Sequence, residues 1–143
     1  MDPRPPHRQW RSLGLVALGG AVGTGVRAAL ASALPAVDGV SWTILGINVV
    51  GAFCLGLLLE ALAHRGPDVG RRRAARLFVG TGVLGGSTTY STLADDTAKL
   101  LDAARWGAGT GYALLSVLLG LAAVAAGTWV AGRVRPRRTG ASS

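Results

Sequence analysis

The sequence predicts an all-α membrane protein, and three observations carry this prediction. Half of the residues are hydrophobic and only 15% are charged, whereas about 25% are charged in a typical soluble domain. The apolar residues gather into four stretches, each near the ~20 residues that a helix needs to cross a bilayer. Almost all positive charges lie between or beyond these stretches. We therefore expect four transmembrane helices and a location in the cell membrane.

The chain is expected to form a single membrane domain, residues 1–143, with disordered ends near residues 1–10 and 134–143. Polar backbone groups must be paired inside lipid, so each apolar stretch should be helical. The four helices are predicted to cover residues 13–34, 40–60, 77–103 and 109–131.

The first stretch admits a second interpretation. It follows three arginines and ends at Ala31-Ser32-Ala33, which is the order of a signal peptide with its cleavage site. Arg27 lies close to that cleavage site, and four glycines fall between residues 19 and 25. Both features suit a permanent, tightly packed helix better than a signal peptide.

The positive residues are distributed unequally between the two sides of the membrane. One side has only Lys99 and Arg105, together with four aspartates. The other side collects twelve arginines, namely Arg4, Arg8, Arg11, Arg65, Arg71, Arg72, Arg73, Arg76, Arg133, Arg135, Arg137 and Arg138. By the positive-inside rule that side is cytoplasmic, so both termini are predicted to be cytoplasmic.

The net charge of +8 would by itself also fit a nucleic-acid-binding protein. Because the arginines lie at segment ends, we interpret them as topology signals and lipid-headgroup anchors, and predict no nucleic-acid partner. Cys54 is the single cysteine, which excludes a disulfide framework and a multi-cysteine metal site. No acidic residue, histidine or cysteine lies mid-membrane in a catalytic arrangement, so no enzyme is predicted.

Glycines recur at spacings typical of helix contacts, with Gly19–Gly23 and Gly82–Gly86 as small-xxx-small pairs. Packing within one bundle accounts for most of them. Four short helices cannot easily enclose a polar pathway, so a dimer is predicted as well.

Polar residues inside a membrane are costly and therefore informative. Arg27 either extends to the interface or attracts anions at a water-filled vestibule. Asn48 either bonds a neighbouring helix or replaces water around an ion. Ser116 is weaker evidence, because a serine hydroxyl commonly bonds its own helix.

The third stretch is expected to break near residues 85–89. Adjacent glycines followed by Ser87-Thr88-Thr89 form helix poorly. A break at mid-membrane depth is tolerated only where protein or a polar cavity surrounds it. Freed carbonyls there can bind a small cation such as Na⁺; the alternative is a kinked helix without a ligand.

Three motifs together resemble the Fluc family of fluoride channels (CrcB-like proteins). They are GGAVGTGVR ending at Arg27, INVVGAFCLG from Ile47 to Gly56, and TGVLGGSTTYST from Thr81 to Thr92. The resemblance covers about residues 13–130, in the family's order and spacing.

The resemblance implies a four-helix subunit that forms an antiparallel dimer with two fluoride pores. It also implies a structural, non-transported Na⁺ at the dimer centre, held by the carbonyls of Gly85 and Thr88. Asn48 matches the family's pore asparagine, and Arg27 its first-helix arginine. The hydroxyls of Thr92 and Ser116 are further candidates for the fluoride pathway, since they can donate to an anion.

Three positions depart from the family pattern. Tyr90 and Leu93 stand where the family has pore phenylalanines; tyrosine keeps an aromatic edge that can face an anion, and leucine does not. Gly120 stands where the fourth-helix polar track continues. One pore lined by this subunit is therefore expected to be impaired. The strong charge bias further predicts pairing with a separate, oppositely oriented homologue.

Two other functions stay open at this point. A small multidrug exporter needs a carboxylate inside the membrane, and Glu60 lies only at the end of the second helix. A non-conducting or half-active subunit would also fit the departures at Leu93 and Gly120.

Overall fold

A computed structural model of the protein describes residues 9–64 and 67–134, and every regular element within these residues is a helix. The ends expected to be disordered lie mostly outside the described residues. Residue 10, which that expectation included, already begins a helix.

Five helices follow one another along the chain. They are α1 (Trp10–Ala33), α2 (Trp42–Ala63), α3 (residues 70–87), α4 (Ser91–Asp102) and α5 (Trp106–Arg133). In the described residues α1, α2 and α5 are long and apolar enough to cross a membrane. Neither α3 nor α4 meets that criterion alone, and α3 begins seven residues before the predicted third helix.

The third helix changes its winding twice. Gly70–Ala75 is α-helical, Arg76–Leu84 is π-helical, and Gly85–Ser87 forms a last α-helical turn. The Gly85 N–H accordingly donates to the carbonyl of Gly80, five residues back. Thr88 then adopts an extended conformation, with φ −80° and ψ 148°. The chain thus leaves helical geometry at residues 88–90, and α4 begins at Ser91.

Helices α1 and α3 pack backbone against backbone through glycine. A Cβ atom added to Gly19 would lie 2.3 Å from the Phe78 carbonyl oxygen, and one added to Gly23 would lie 2.1 Å from that of Val83. Both distances are shorter than atoms can approach, so only glycine fits. The contacts advance in the same direction along both helices, which are therefore parallel.

Helices α2 and α5 form a second pair of this kind. An added Cβ on Gly56 would lie 2.6 Å from the Val124 carbonyl oxygen, and one on Gly127 would lie 2.2 Å from that of Phe53. Close backbone approach of this type drives helix packing in lipid. The α1–α3 pair and the α2–α5 pair pack less closely against each other than the helices within each pair. An apolar groove of about 440 Å³ lies where α1, α2 and α3 adjoin.

The turn between α1 and α2 closes the end of the bundle where α1 finishes and α2 begins. Val37 and Val40 exchange two backbone hydrogen bonds around Asp38 and Gly39, which both have positive φ. Val40 leads into a buried cluster that joins the turn to α2, α4 and α5. Its members are Val40, Leu45, Leu100 and Tyr112.

Polar contacts reinforce that closure. The buried Asp96 carboxylate on α4 accepts a hydrogen bond from the Ser41 N–H at 3.0 Å. Arg105 Nη1 donates to the Asp38 carbonyl oxygen at 2.8 Å. Helix α4 is therefore held against the end of the bundle where α2 and α5 begin.

The four tryptophans mark both ends of the bundle. Trp10, Trp42 and Trp106 are the first residues of α1, α2 and α5, and Trp129 lies one turn before the end of α5. All four are exposed. Tryptophan at both helix ends is typical of the two membrane–water interfaces. At one end of the bundle α1 and α3 begin, and α2 and α5 finish. We call this the arginine-rich end, because α3 carries Arg71 to Arg73 there.

Candidate ion-conducting site at the α3–α4 interruption

The interruption between α3 and α4 is bonded to the side chain of Asn48. Asn48 Nδ2 donates to the Thr89 carbonyl oxygen at 3.0 Å, and the Thr89 N–H donates to Asn48 Oδ1 at 2.9 Å. The amide thus replaces both backbone partners that Thr89 would have had in a continuous helix. Asn48 is half-buried, and one of its two N–H donors remains unused in these contacts.

Gly85 and Thr88 lie on the same groove as Asn48. This groove, of about 260 Å³, is lined by Asn48, Gly51, Ala52, Leu55, Gly80, Leu84, Gly85, Thr88 and Val124. The Thr88 N–H and hydroxyl both donate to the Leu84 carbonyl. No hydrogen bond between described residues ends on the carbonyl oxygen of Gly85 or Thr88.

A metal ion in this region would be bound by uncharged oxygen atoms, from the backbone or from side chains such as those of Asn48 and Thr88. In the part of the chain that the structure describes, no three His, Cys, Asp or Glu residues come together. Gly85 is exposed, and an added Cβ there would meet nothing closer than 3.9 Å. Gly85 is therefore accessible to whatever covers this side of the chain.

Tyr90 and Leu93 have opposite surroundings, although they are neighbours in sequence. The Tyr90 side chain is 78% exposed at the interruption. Leu93 packs against the buried cluster around Leu100 and Tyr112. The structure therefore separates these two predicted pathway residues, one outside and one in the interior.

The remaining predicted pathway residues lie further along the chain. Thr92 is half-buried in the first turn of α4. Ser116 Oγ donates to the Tyr112 carbonyl oxygen at 2.8 Å, one turn back in its own helix. That bond is the ordinary explanation for a serine on an apolar helix.

Arg27 lies in the second half of α1 and is half-buried. Its Nε is buried and has no hydrogen-bond partner among the described residues. A buried guanidinium N–H without a partner is costly. This atom therefore marks a place where an anion, water or another chain would stabilise the side chain.

Two residues of this region were missed by sequence reasoning. Thr89 is the backbone partner of Asn48, and Thr24 Oγ1 donates to the Gly86 carbonyl oxygen at 3.2 Å. The contact of Thr24 could have been predicted from the sequence, because Thr24 follows Gly20 by one helical turn on the small-residue face of α1. The contact of Thr89 with Asn48 could not have been predicted, because it spans 41 residues of sequence.

A model of the family described as CrcB-like protein, Camphor Resistance (CrcB), matches residues 14–128. The chain belongs to the CrcB-like family. The matched span includes every predicted site residue of this CrcB-like chain, from Arg27 to Ser116.

Curated relatives of the CrcB-like chain carry a common name. The chain is 52% identical over 134 residues to Fluoride-specific ion channel FluC 2 of Leifsonia xyli subsp. xyli, covering 94% of this chain and 92% of the relative. It is 51% identical over 109 residues to Fluoride-specific ion channel FluC 1 of Cutibacterium acnes, covering 76% of each. It is 39% identical over 134 residues to FluC 1 of Mycobacterium bovis, covering 93% and 99%.

Proposed function

We propose that this CrcB-like chain is a subunit of a fluoride-selective channel, through which fluoride leaves the cytoplasm down its gradient. The names of its relatives support the ion. Three apolar helices of membrane length support the setting. The observation that carries the proposal is the Asn48–Thr89 pair, because it sets an amide donor beside interrupted backbone within an otherwise apolar bundle.

The pathway requires groups that replace water around a small, strongly hydrated anion. The second N–H of Asn48 is one such donor, and the Thr92 hydroxyl is another. The exposed ring of Tyr90 adds an electropositive edge. Selection by donor geometry in a narrow path is the general basis of channel specificity. Ser116 would join this set only by releasing its bond to Tyr112.

A structural sodium ion fits the free carbonyls of Gly85 and Thr88. Sodium prefers oxygen ligands, and interrupted transmembrane helices supply backbone carbonyls for it. One chain offers two such oxygens beside its groove, which is too few for a complete shell. A second, inverted chain would supply the rest. The ion would offset the partial negative charge of the assembled carbonyls.

The fourth membrane crossing in this proposal consists of α3 and α4 together. Both run from the arginine-rich end towards the end closed by Asp96 and Ser41. The interruption at residues 88–90 then falls inside the bilayer, with its polar groups bonded to Asn48. The positive-inside rule places the arginine-rich end, and hence both termini, in the cytoplasm.

The alternative is a half-active or non-conducting subunit of a heterodimeric channel. Leu93 offers no aromatic edge and packs into the interior, and the arginine bias opposes equal insertion in both orientations. A multidrug exporter has less support, because Glu60 lies at the end of α2 and contacts His64 there. Any partner is accordingly expected to be an oppositely oriented homologue.

Fluoride efflux from liposomes tests the proposal. The chain is reconstituted alone and together with an oppositely oriented homologue, and efflux is followed with a fluoride electrode. We expect efflux in at least one case and its loss on Asn48→Ala. Gly111→Ala is the control, since Gly111 is exposed and a Cβ there meets nothing within 4 Å. No efflux in either case would contradict the channel, and full efflux from the chain alone would contradict an obligate heterodimer.

A further inference from the structure

A groove at the arginine-rich end combines apolar and cationic residues. It lies between the last turns of α2 and the beginning of α3 and has a volume of about 200 Å³. Leu59, Leu62 and Ala63 line one side, and Asp68, Arg72 and Arg76 line the other. The groove is separate from the α3–α4 interruption, which lies at the other end of α3.

The positive charge of this groove is only partly balanced. Arg76 donates two hydrogen bonds to Asp68 Oδ2, with the Nε contact at 3.0 Å. Arg71, Arg72 and Arg73 form no ion pair within residues 9–64 and 67–134. Arg73 Nη2 is moreover buried without a hydrogen-bond partner among these residues. Three adjacent guanidinium groups therefore lack a counter-charge among the residues that the structure describes.

These arginines do not stabilise the helix that contains them. They occupy the first turn of α3, where the helix dipole and mutual repulsion both disfavour positive charge. The first turn also has no side-chain cap, since its flanking residue is Val69. An external anion would offset both the mutual repulsion of the arginines and their unfavourable interaction with the helix dipole.

The surroundings of the groove define the chemistry of that anion. The arginine-rich end carries Trp10 and Trp129 at the level where a membrane meets water. An anion at this level that also contacts Leu59 and Leu62 must be amphiphilic. We propose that the groove binds an anionic phospholipid of the cytoplasmic leaflet. Arg72 contacts its phosphate, and its acyl chain lies along the end of α2.

Native mass spectrometry of the purified full-length protein tests this site. Phosphatidylglycerol and phosphatidylcholine with identical acyl chains are added separately, and retained lipid is counted. We expect phosphatidylglycerol to bind preferentially. The Arg72→Gln variant should reduce its affinity about fivefold. Arg72 has no ion pair within residues 9–64 and 67–134, so this variant is expected to fold.

Arg133→Gln is the matched control, because Arg133 lies at the same end but stacks on Trp129, with 3.5 Å from its Cζ to the ring centroid. We expect it to retain wild-type binding. Equal binding of both lipids, or equal losses in both variants, would overturn the proposal. In a third arm of the experiment, glycerol phosphate or inorganic phosphate is added as a competitor of phosphatidylglycerol. If either displaced phosphatidylglycerol at comparable concentration, the groove would be a free-phosphate site and the lipid assignment would be wrong.

Discussion

The side-chain amide of Asn48 forms two hydrogen bonds with the backbone of Thr89, at 3.0 Å to its carbonyl oxygen and 2.9 Å from its N–H. Helix α2 thereby satisfies polar groups that the interrupted helix leaves open. The same amide is the donor on which the proposed ion pathway depends. The structural contact and the proposed conduction therefore depend on one side chain.

Asn48→Ala is expected to destabilise the protein as well as block fluoride efflux. It leaves the Thr89 N–H and carbonyl unpaired, at about 1–3 kcal/mol for each group. Asn48→Asp keeps an acceptor for the Thr89 N–H and should fall between the wild type and Asn48→Ala. Thermal unfolding in detergent measures the effect. An unchanged melting temperature for Asn48→Ala would show that the pair contributes nothing.

Gly127→Ala should destabilise the α2–α5 pair, whereas Gly120→Ala on the same helix should not. A Cβ on Gly127 meets the Phe53 carbonyl oxygen at 2.2 Å, and one on Gly120 meets nothing within 4 Å. Overpacking of this kind costs about 1–3 kcal/mol. Thermal unfolding of the two variants is the direct comparison. Equal melting temperatures would contradict the backbone contact between α2 and α5.

Gly85→Ala and Gly86→Ala should separate assembly from folding. A Cβ on Gly86 would lie 2.5 Å from the Gly20 carbonyl oxygen, so this variant should lower the melting temperature of the chain. Gly85 is exposed, so a Cβ there has space within the chain and would meet the partner only if the proposed dimer centre lies at this residue. Gly85→Ala should therefore fold normally and lose fluoride efflux. Normal efflux would argue against Gly85 at an ion-bound dimer centre.

Replacing Na⁺ in the buffer by a large organic cation should lower the melting temperature of the assembled channel. A ligand that binds only the assembled state stabilises it in proportion to the logarithm of its concentration. The Gly85→Ala variant should lose this sodium dependence. A melting temperature independent of Na⁺ in the wild type would count against the sodium site.

Asp96→Ala should loosen the end of the bundle that faces away from the arginines. It removes the acceptor of the Ser41 N–H from a side chain that is only 4% exposed. The unpaired N–H costs about 1–3 kcal/mol. Asp95→Ala is the control, because Asp95 is exposed on the next position of α4. Hydrogen exchange at Ser41 should rise in Asp96→Ala alone.

The long apolar helices could be read from the sequence because their composition alone requires burial in lipid. The interruption was expected near residues 85–89, and the structure leaves helical geometry at residues 88–90. Gly85 and Gly86 stay helical despite their low helix propensity. Contact with α1, including the bond from Thr24 to Gly86, holds this last turn in place.

Tertiary contacts determine what the sequence could not predict. The π-helical winding of residues 76–84 coincides with the close approach of α1, a tertiary contact that no local pattern encodes. Tyr90 and Leu93 are both apolar enough for either environment, and only the fold exposes one and buries the other. The partner of Asn48 likewise depends on how α2 is placed against residues 88–90.

The tight contacts of Gly23 with Val83 and of Phe53 with Gly127 join segments far apart in the chain. During synthesis α2 is made long before the part of α5 that packs against it. A nascent chain therefore holds α2 without its packing partner until α5 has been synthesised. The α2–α5 half of the bundle can form only after that point, however early α2 itself is inserted.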